Sequence, residues 1–139
     1  MKQKTGRKLL SFLLTLAMVV GLMPGMSLTA YAASTTVTWN ASDITDARDS
    51  FTKDGITITA RMIDDRDKNF MGSGTFTTAS GKFTKIEVTA AYVDISGTGW
   101  SGNNSKRTWT GEASSSVSYS DDIYDMGRGQ LKIVFTIEE

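Results

Sequence analysis

Aromatic rings and small polar side chains are concentrated in the last third of the sequence. The rings there belong to Trp100, Trp109, Tyr119 and Tyr124. Trp100 lies among glycines, and Asn103 and Asn104 follow it, a pattern that predicts a loop holding the indole at the surface. Aromatic rings stack on the apolar C–H faces of sugars, and amide side chains hydrogen-bond to sugar hydroxyls. We therefore predict a glycan-binding site formed by Trp100, Asn103, Asn104 and Tyr124.

The tryptophans can also be explained by packing. Trp39 and Trp109 lie in segments that alternate like strands, so we expect both in the core, where aromatic rings bury large areas. For Trp100, packing in the core or at its rim is the alternative to ligand contact. The Ser/Thr-rich stretches SSSVSYS and TFTTAS are typical of solvated strand faces and indicate no particular function.

Aspartates form three clusters that resemble sites for a hard cation. The clusters are Asp43, Asp46 and Asp49; Asp64, Asp65 and Asp67; and Asp121, Asp122 and Asp125. Oxygen ligands on flexible loops suit calcium, although none of the clusters has EF-hand spacing. We predict Asp64, Asp65 and Asp67 as the calcium ligands if the chain uses a metal, and we expect no other cofactor. The alternative is solvated turns, neutralised by Arg48, Arg66 and Arg128.

The composition excludes several classes of enzyme. The chain has no histidine and no cysteine, so Ser-His-Asp and Cys-His nucleophiles and the usual zinc sites are absent. No GxSxG, P-loop or dinucleotide-binding motif occurs. Paired carboxylates remain, but the domain is small for the cleft that a glycoside hydrolase needs. We predict that the protein is not an enzyme.

The N-terminus has the three-part layout of a secretory signal peptide. Basic residues open it: Lys2, Lys4, Arg7 and Lys8. An apolar run over residues 9–23 follows, then Pro24 and small residues at Ala30 and Ala32. The run is about fifteen residues long, short of the roughly twenty that span a bilayer. We predict a signal peptide over residues 1–33, one domain over residues 34–139, and no stable membrane insertion after cleavage.

The predicted mature domain is acidic. Four of the fifteen basic residues lie in the predicted signal peptide and none of the fifteen acidic residues does, which leaves a net charge of −4. Nucleic acids and anionic membranes need a basic surface, so neither is an expected partner. Without cysteine, the domain has no disulfides and depends on its core, or on a metal, for stability.

Hydrophobic alternation predicts β-strands throughout the mature chain. The closing segment places Leu131, Ile133, Phe135 and Ile137 on one face, and an earlier one places Ile86, Val88, Ala90 and Tyr92 on one face. Similar segments lie around Trp39, Ile58, Phe76, Trp109 and Val117. About seven short strands predict an all-β fold, a single antiparallel β-sandwich of jelly-roll or immunoglobulin-like type.

The order of four segments resembles a known module. GKFTKIEV, GTGWSG, TWTGEASSSVSY and LKIVFTIEE follow one another as in a small β-sandwich module of secreted and surface proteins of Gram-positive gut bacteria. The resemblance covers residues 51–138 and implies a bacterial, extracellular protein; we carry over no catalytic or binding residue from it. We predict a secreted, non-catalytic module that contacts glycans or surface polymers. The alternative is a structural or adhesion-type module whose partner is a surface protein.

Overall fold

The computed structural model describes residues 32–44, 49–61, 63–64, 70–125 and 128–139. Ala32–Glu139 forms one compact unit of the chain. Apart from Ala32 and Ala33, the predicted signal peptide lies outside the described residues. Asp46, Asp65 and Asp67 lie outside them as well.

Nearly all regular structure in the described residues is β-strand. The strands are β1 (Ser34–Asn40), β2 (Ser50–Lys53), β3 (Ile56–Ala60), β4 (Ile63–Asp64), β5 (Phe70–Met71), β6 (Gly74–Thr78), β7 (Lys82–Thr89), β8 (Tyr92–Val93), β9 (Trp100–Gly102), β10 (Lys106–Ser114), β11 (Ser116–Tyr119), β12 (Ile123–Tyr124) and β13 (Lys132–Glu138). One 3₁₀ turn, Ala41–Asp43, follows β1. No helix in this part of the chain is long and apolar enough to cross a membrane.

The strands form three antiparallel sheets. The first has the order β1-β13-β7-β10-β9, the second β11-β6-β3-β2, and the third β4-β5-β12-β8. The prediction of an all-β protein built from packed antiparallel sheets is confirmed. The seven predicted strands correspond to the longer ones of the first two sheets. The additional strands have two to four residues each, too few for alternation to be recognised in the sequence.

The inner faces of the sheets meet in one core around β13. Phe135 contacts Trp39, Phe76 and Phe83, with ring centroids 4.9, 5.3 and 5.7 Å away. Phe76 belongs to the second sheet, so these contacts join the two larger sheets. The third sheet adds buried side chains of its own: Ile63, Met71, Val93 and Ile123. As predicted, Trp39 and Trp109 are core residues.

An aromatic pair closes each open side of the two larger sheets. At one side, Trp39 of β1 meets Phe51 of β2 edge-to-face, with centroids 5.0 Å apart. At the other side, Trp100 of β9 meets Tyr119 of β11 edge-to-face at 6.3 Å. Buried aromatic pairs of this geometry contribute roughly 0.5–1.5 kcal/mol beyond their buried area. The second pair lies beside the candidate site.

Candidate functional site

The structure assigns Trp100 to packing at the rim of the core. Its backbone belongs to β9 and pairs with Trp109, and its side chain is half-buried. The indole Nε1–H donates a hydrogen bond to the carbonyl oxygen of Ser118 at 3.0 Å. Trp100 therefore links the edges of two sheets, whereas the glycines around it had indicated a free loop.

The two predicted asparagines shape the hairpin between β9 and β10. The side-chain oxygen of Asn103 accepts hydrogen bonds from the backbone N–H groups of Ser105 and Lys106, at 2.9 and 3.0 Å. Such a turn fixes the chain reversal locally. The carbonyl oxygen of Asn104 accepts a hydrogen bond from the N–H of Val93 at 2.8 Å, which places Asn104 directly beside β8.

Tyr124 pairs with a tyrosine that the alternation had placed on the same strand face as Ile86 and Val88. Tyr124 is half-buried in β12, and its register partner across the sheet is Tyr92 of β8. Tyr92 is 41% exposed, the large hydrophobic side chain in the described residues that stands out at the surface. The chain leaves the first sheet after Thr89, and Val93 takes the buried position instead. The expectation that Tyr92 packs with Ile86 and Val88 was wrong for this reason.

The pairing of β8 with β12 continues beyond both strands. The N–H of Asp94 donates to the carbonyl of Asp122 at 2.9 Å, and Ser96 and Ser120 exchange two backbone hydrogen bonds. Six side chains at these register positions point away from the core, and we call them the outer ladder: Tyr92, Asp94, Ser96, Ser120, Asp122 and Tyr124. Side chains opposite one another in such a pairing lie about 4.5–5.5 Å apart.

The middle of the outer ladder is polar and charged. Asp94 and Asp122 face each other across the pairing, an arrangement that like charges disfavour. Arg107 lies beside them, with Nη2 4.0 Å from Asp94 Oδ1 and 3.4 Å from Asn104 Oδ1. Ser96 donates its hydroxyl proton to Asp121 Oδ2 at 2.8 Å. Carboxylates, an amide and a guanidinium thus adjoin the two tyrosines.

A groove of about 340 Å³ begins where the outer ladder ends, at Ser96 and Ser120. The remaining lining residues are Gly97, Thr98, Trp109, Ser114, Ser116, Val117, Ser118 and Tyr119. Here the chain crosses from the first sheet to the second, between β10 and β11. The Ser114 hydroxyl donates to the carbonyl of Ser116 at 2.7 Å and fixes this corner. Hydroxyl groups therefore border a partly aromatic depression.

Two glycines allow Trp109 to line the groove. A Cβ on Gly99 would lie 2.6 Å from Trp109 Nε1, and a Cβ on Gly111 would lie 2.9 Å from Cζ2. Gly99 also has a φ of +86°, a conformation that favours glycine. Both glycines are therefore required by the position of the indole.

Tyr119, on the groove wall, carries a buried hydroxyl. The residue is 4% exposed, and the oxygen has no hydrogen-bond partner among the described residues. Burial raises the pKa of Tyr119 well above its usual value, and the nearby charge of Asp122 acts in the same direction. The phenol is therefore neutral under all ordinary conditions.

The predicted calcium site lies largely outside the described residues. Asp64 belongs to β4, and Asp65 and Asp67 are not described. Within the described part of the chain, no group of three or more acidic residues is placed to hold a metal ion.

Two members of the other acidic clusters have structural partners. Asp43 pairs with Lys53 at 2.6 Å, which together with the N–H of Asn40 lowers its pKa. Asp125 is fully buried and accepts hydrogen bonds from the N–H groups of Ala91 and Gln130. Asp43 and Asp125 therefore each have a partner within the protein, a lysine for Asp43 and backbone N–H groups for Asp125.

The chain was compared with protein-family models, with curated proteins and with solved structures, and none of them matches it.

Proposed function

We propose that the chain is a secreted, non-catalytic binding module that contacts a glycan along the outer ladder and the adjoining groove. The observation that carries this proposal is the exposed ring of Tyr92, which lies beside Tyr124 at one end of a row of polar side chains. An exposed aromatic ring next to hydrogen-bonding groups suits a sugar, which has apolar ring faces and polar edges.

The polar part of the outer ladder complements sugar hydroxyls. The carboxylates of Asp94 and Asp122 accept hydrogen bonds from sugar hydroxyls. The serine hydroxyls beyond them both donate and accept. From Tyr92 to Ser96 the strand rises by roughly 13 Å, enough for a short run of sugar rings before the groove.

Binding is tested with the mature protein and a panel of soluble neutral oligosaccharides and polysaccharides. Tryptophan fluorescence is the readout, because Trp109 lines the groove and Trp100 lies beside it. We expect saturable binding that Tyr92→Ala weakens by about tenfold, equivalent to about 1.4 kcal/mol. Tyr92→Phe, which keeps the ring, is the matched control and should change the affinity little. Parallel titrations with calcium and with EDTA test whether Asp64, Asp65 and Asp67 bind calcium as predicted.

Two results would reject this function. One is the absence of binding to every member of the panel. The other is binding that Tyr92→Ala leaves unchanged while the fold is intact, because the ligand would then lie elsewhere.

The edge strand β1 supports a second candidate function, that of a structural or adhesion-type module which pairs with another chain. This strand has seven residues and contains no charged side chain, and among the described strands its one neighbour is β13. The N–H of Glu139 donates to the carbonyl of Ala33, and the N–H of Ala41 donates to the carbonyl of Leu131. Because the residues of β1 that bond to β13 alternate with residues that do not, the N–H and C=O groups of Thr36 and Thr38 point away from β13. Long edges without charge or bulge invite an added strand.

The occupant that suits β1 best is a second copy of the same strand, because two uncharged β1 edges can pair antiparallel around a two-fold axis. Sedimentation of the mature protein over a range of concentrations measures this association. Thr36→Pro removes an outward N–H and should abolish a dimer while leaving the pairing with β13 intact. A protein that remains monomeric at high concentration would exclude this self-pairing.

A further inference from the structure

The outward face of the second sheet consists entirely of hydroxyl side chains across two complete rows. One row is Ser116, Thr77, Thr57 and Thr52, and the other is Ser118, Thr75, Thr59 and Ser50. Each row crosses all four strands in register. We call these eight residues the hydroxyl face.

The rows follow from the strand register. Thr77 pairs with both Ser116 and Thr57, and Thr75 pairs with both Ser118 and Thr59. The residues between them are Ile58, Phe76 and Val117, which are buried in the core, and Phe51, which is partly buried against it. Alternation then directs all eight hydroxyl side chains to the same outer surface.

The hydroxyl face is exposed and regular. Six of its residues are exposed, and only Thr57 and Thr75, on the two central strands, are half-buried. Neighbouring strands lie about 4.8 Å apart, and the two rows are separated by roughly 6.7 Å along each strand. The result is a regular lattice of hydroxyl groups, roughly 14 Å across.

Hydrogen bonds between side chains hold part of this lattice in place. The hydroxyls of Thr52 and Thr57 lie 2.7 Å apart, and those of Thr75 and Ser118 lie 2.9 Å apart. In each pair one hydroxyl donates to the other, so each pair keeps a proton and several lone pairs for an outside partner. Ordering these groups beforehand reduces the entropy that a ligand must offset.

The opposite surface of the molecule has a different composition. On the outer face of the first sheet, Glu87 lies 3.1 Å from both Lys85 and Lys106, an ordinary charged surface. Solubility is served by such charges. The absence of charge from both rows of the hydroxyl face is the difference between the two surfaces.

We propose that the hydroxyl face contacts the flat surface of an insoluble, uncharged polysaccharide. Such a surface presents repeating hydroxyls that donate and accept hydrogen bonds, and it requires no charge in its partner. Ser116 and Ser118 belong both to the hydroxyl face and to the groove, so one polymer surface can engage both regions. This inference rests on the proposed function for the class of ligand and extends it from soluble chains to a solid.

Other partners fit the hydroxyl face less well. Protein interfaces usually centre on aromatic, Met or Arg anchors, and none of the eight residues is one. Nucleic acids require basic side chains, which both rows lack. An uncharged polymer remains the partner whose chemistry matches.

The test measures adsorption of the mature protein to microcrystalline cellulose and to crystalline chitin. Thr57→Val with Thr59→Val removes two hydroxyls from β3 and keeps branched side chains suited to a strand. The matched control is Thr108→Val with Thr110→Val on β10. Like Thr57 and Thr59, one of these residues is half-buried and the other exposed, but they lie on the outer face of the first sheet. We expect the β3 variant to adsorb at least fivefold more weakly, the control to stay within twofold, and adsorption to persist in high salt.

Each outcome separates this inference from the proposed function. If wild type and the β3 variant adsorb equally and have the same unfolding midpoint, the inference is overturned. It is also overturned if the control variant loses as much adsorption as the β3 variant, or if high salt abolishes adsorption. If Tyr92→Ala weakens binding of soluble glycans but the β3 variant adsorbs to the solids as wild type does, the proposed function stands and this inference fails. If no soluble or insoluble polysaccharide binds, both fail.

Discussion

Replacing Tyr119 by phenylalanine removes a single oxygen from the groove wall and leaves the packed ring in place. That ring contacts Phe76 and Trp100, with centroid distances of 5.3 and 6.3 Å. Its hydroxyl is buried without a partner among the described residues. An unsatisfied buried hydroxyl costs about 1–3 kcal/mol. Tyr119→Phe should therefore raise the free energy of unfolding by about 1 kcal/mol, or roughly 4–8 °C in Tm for a domain near this size.

Urea unfolding followed by tryptophan fluorescence at pH 7 measures this change. Tyr119→Ala is the contrast, since it also removes the ring and should cost about 3–5 kcal/mol. A loss of more than about 1 kcal/mol in Tyr119→Phe would refute the reasoning, because it would show that the hydroxyl is hydrogen-bonded in the folded protein.

The raised pKa of Tyr119 adds a dependence on alkaline pH. In the unfolded chain the phenol ionises near pH 10, whereas burial keeps it protonated in the folded protein. The unfolded state therefore loses its proton first, and wild-type stability should fall as the pH rises above about 10. Tyr119→Phe should show a smaller decline over the same range. Identical alkaline profiles would mean that the phenol ionises equally in both states.

Three further variants test the site and its support by urea unfolding. Gly99→Ala places a Cβ 2.6 Å from Trp109 Nε1 at a φ of +86°, so it should cost about 2–3 kcal/mol; an unchanged midpoint would contradict the packing of that indole. Asp125→Ala removes a fully buried carboxylate that accepts backbone hydrogen bonds, so a loss of about 1–3 kcal/mol is expected, and a neutral effect would contradict this role. Hydrogen bonds and charges from Lys106 and then Lys85 lower the pKa of Glu87, so Glu87→Gln should reduce stability at pH 7 by at most about 1 kcal/mol. Because that contribution is lost as the pH falls through the folded-state pKa, wild type and Glu87→Gln should converge in acid below that pKa, and a difference that persisted there would refute the ion-pair explanation.

The long strands were predictable because their alternation survives in the sequence. Ile133, Phe135 and Ile137 are all buried, as the period of two indicated. The same rule misplaced Tyr92, because alternation assumes that a strand stays in one sheet. The chain bends at Ala91, and β8 then joins a different sheet with Val93 inward. A change of sheet leaves no mark that a periodic pattern can reveal.

The candidate site was predictable only in part. Asn104 and Tyr124 lie on either side of β8, but their role in binding stays a prediction. Trp100 lies in a strand and bonds to Ser118, a pairing that depends on contacts distant in sequence. The rows of the hydroxyl face were invisible for a related reason. Serine and threonine were recognised as residues of strand faces, but only the register shows that four strands align them.

The most direct test of the account is the affinity of the mature protein for soluble neutral glycans, compared between wild type and Tyr92→Ala. Tyr92→Phe and matched unfolding midpoints control for the fold. We expect saturable binding that weakens about tenfold when the ring is removed and is retained when only the hydroxyl is removed. Binding that is absent throughout the panel, or equal in wild type and Tyr92→Ala, would contradict a glycan site on the outer ladder.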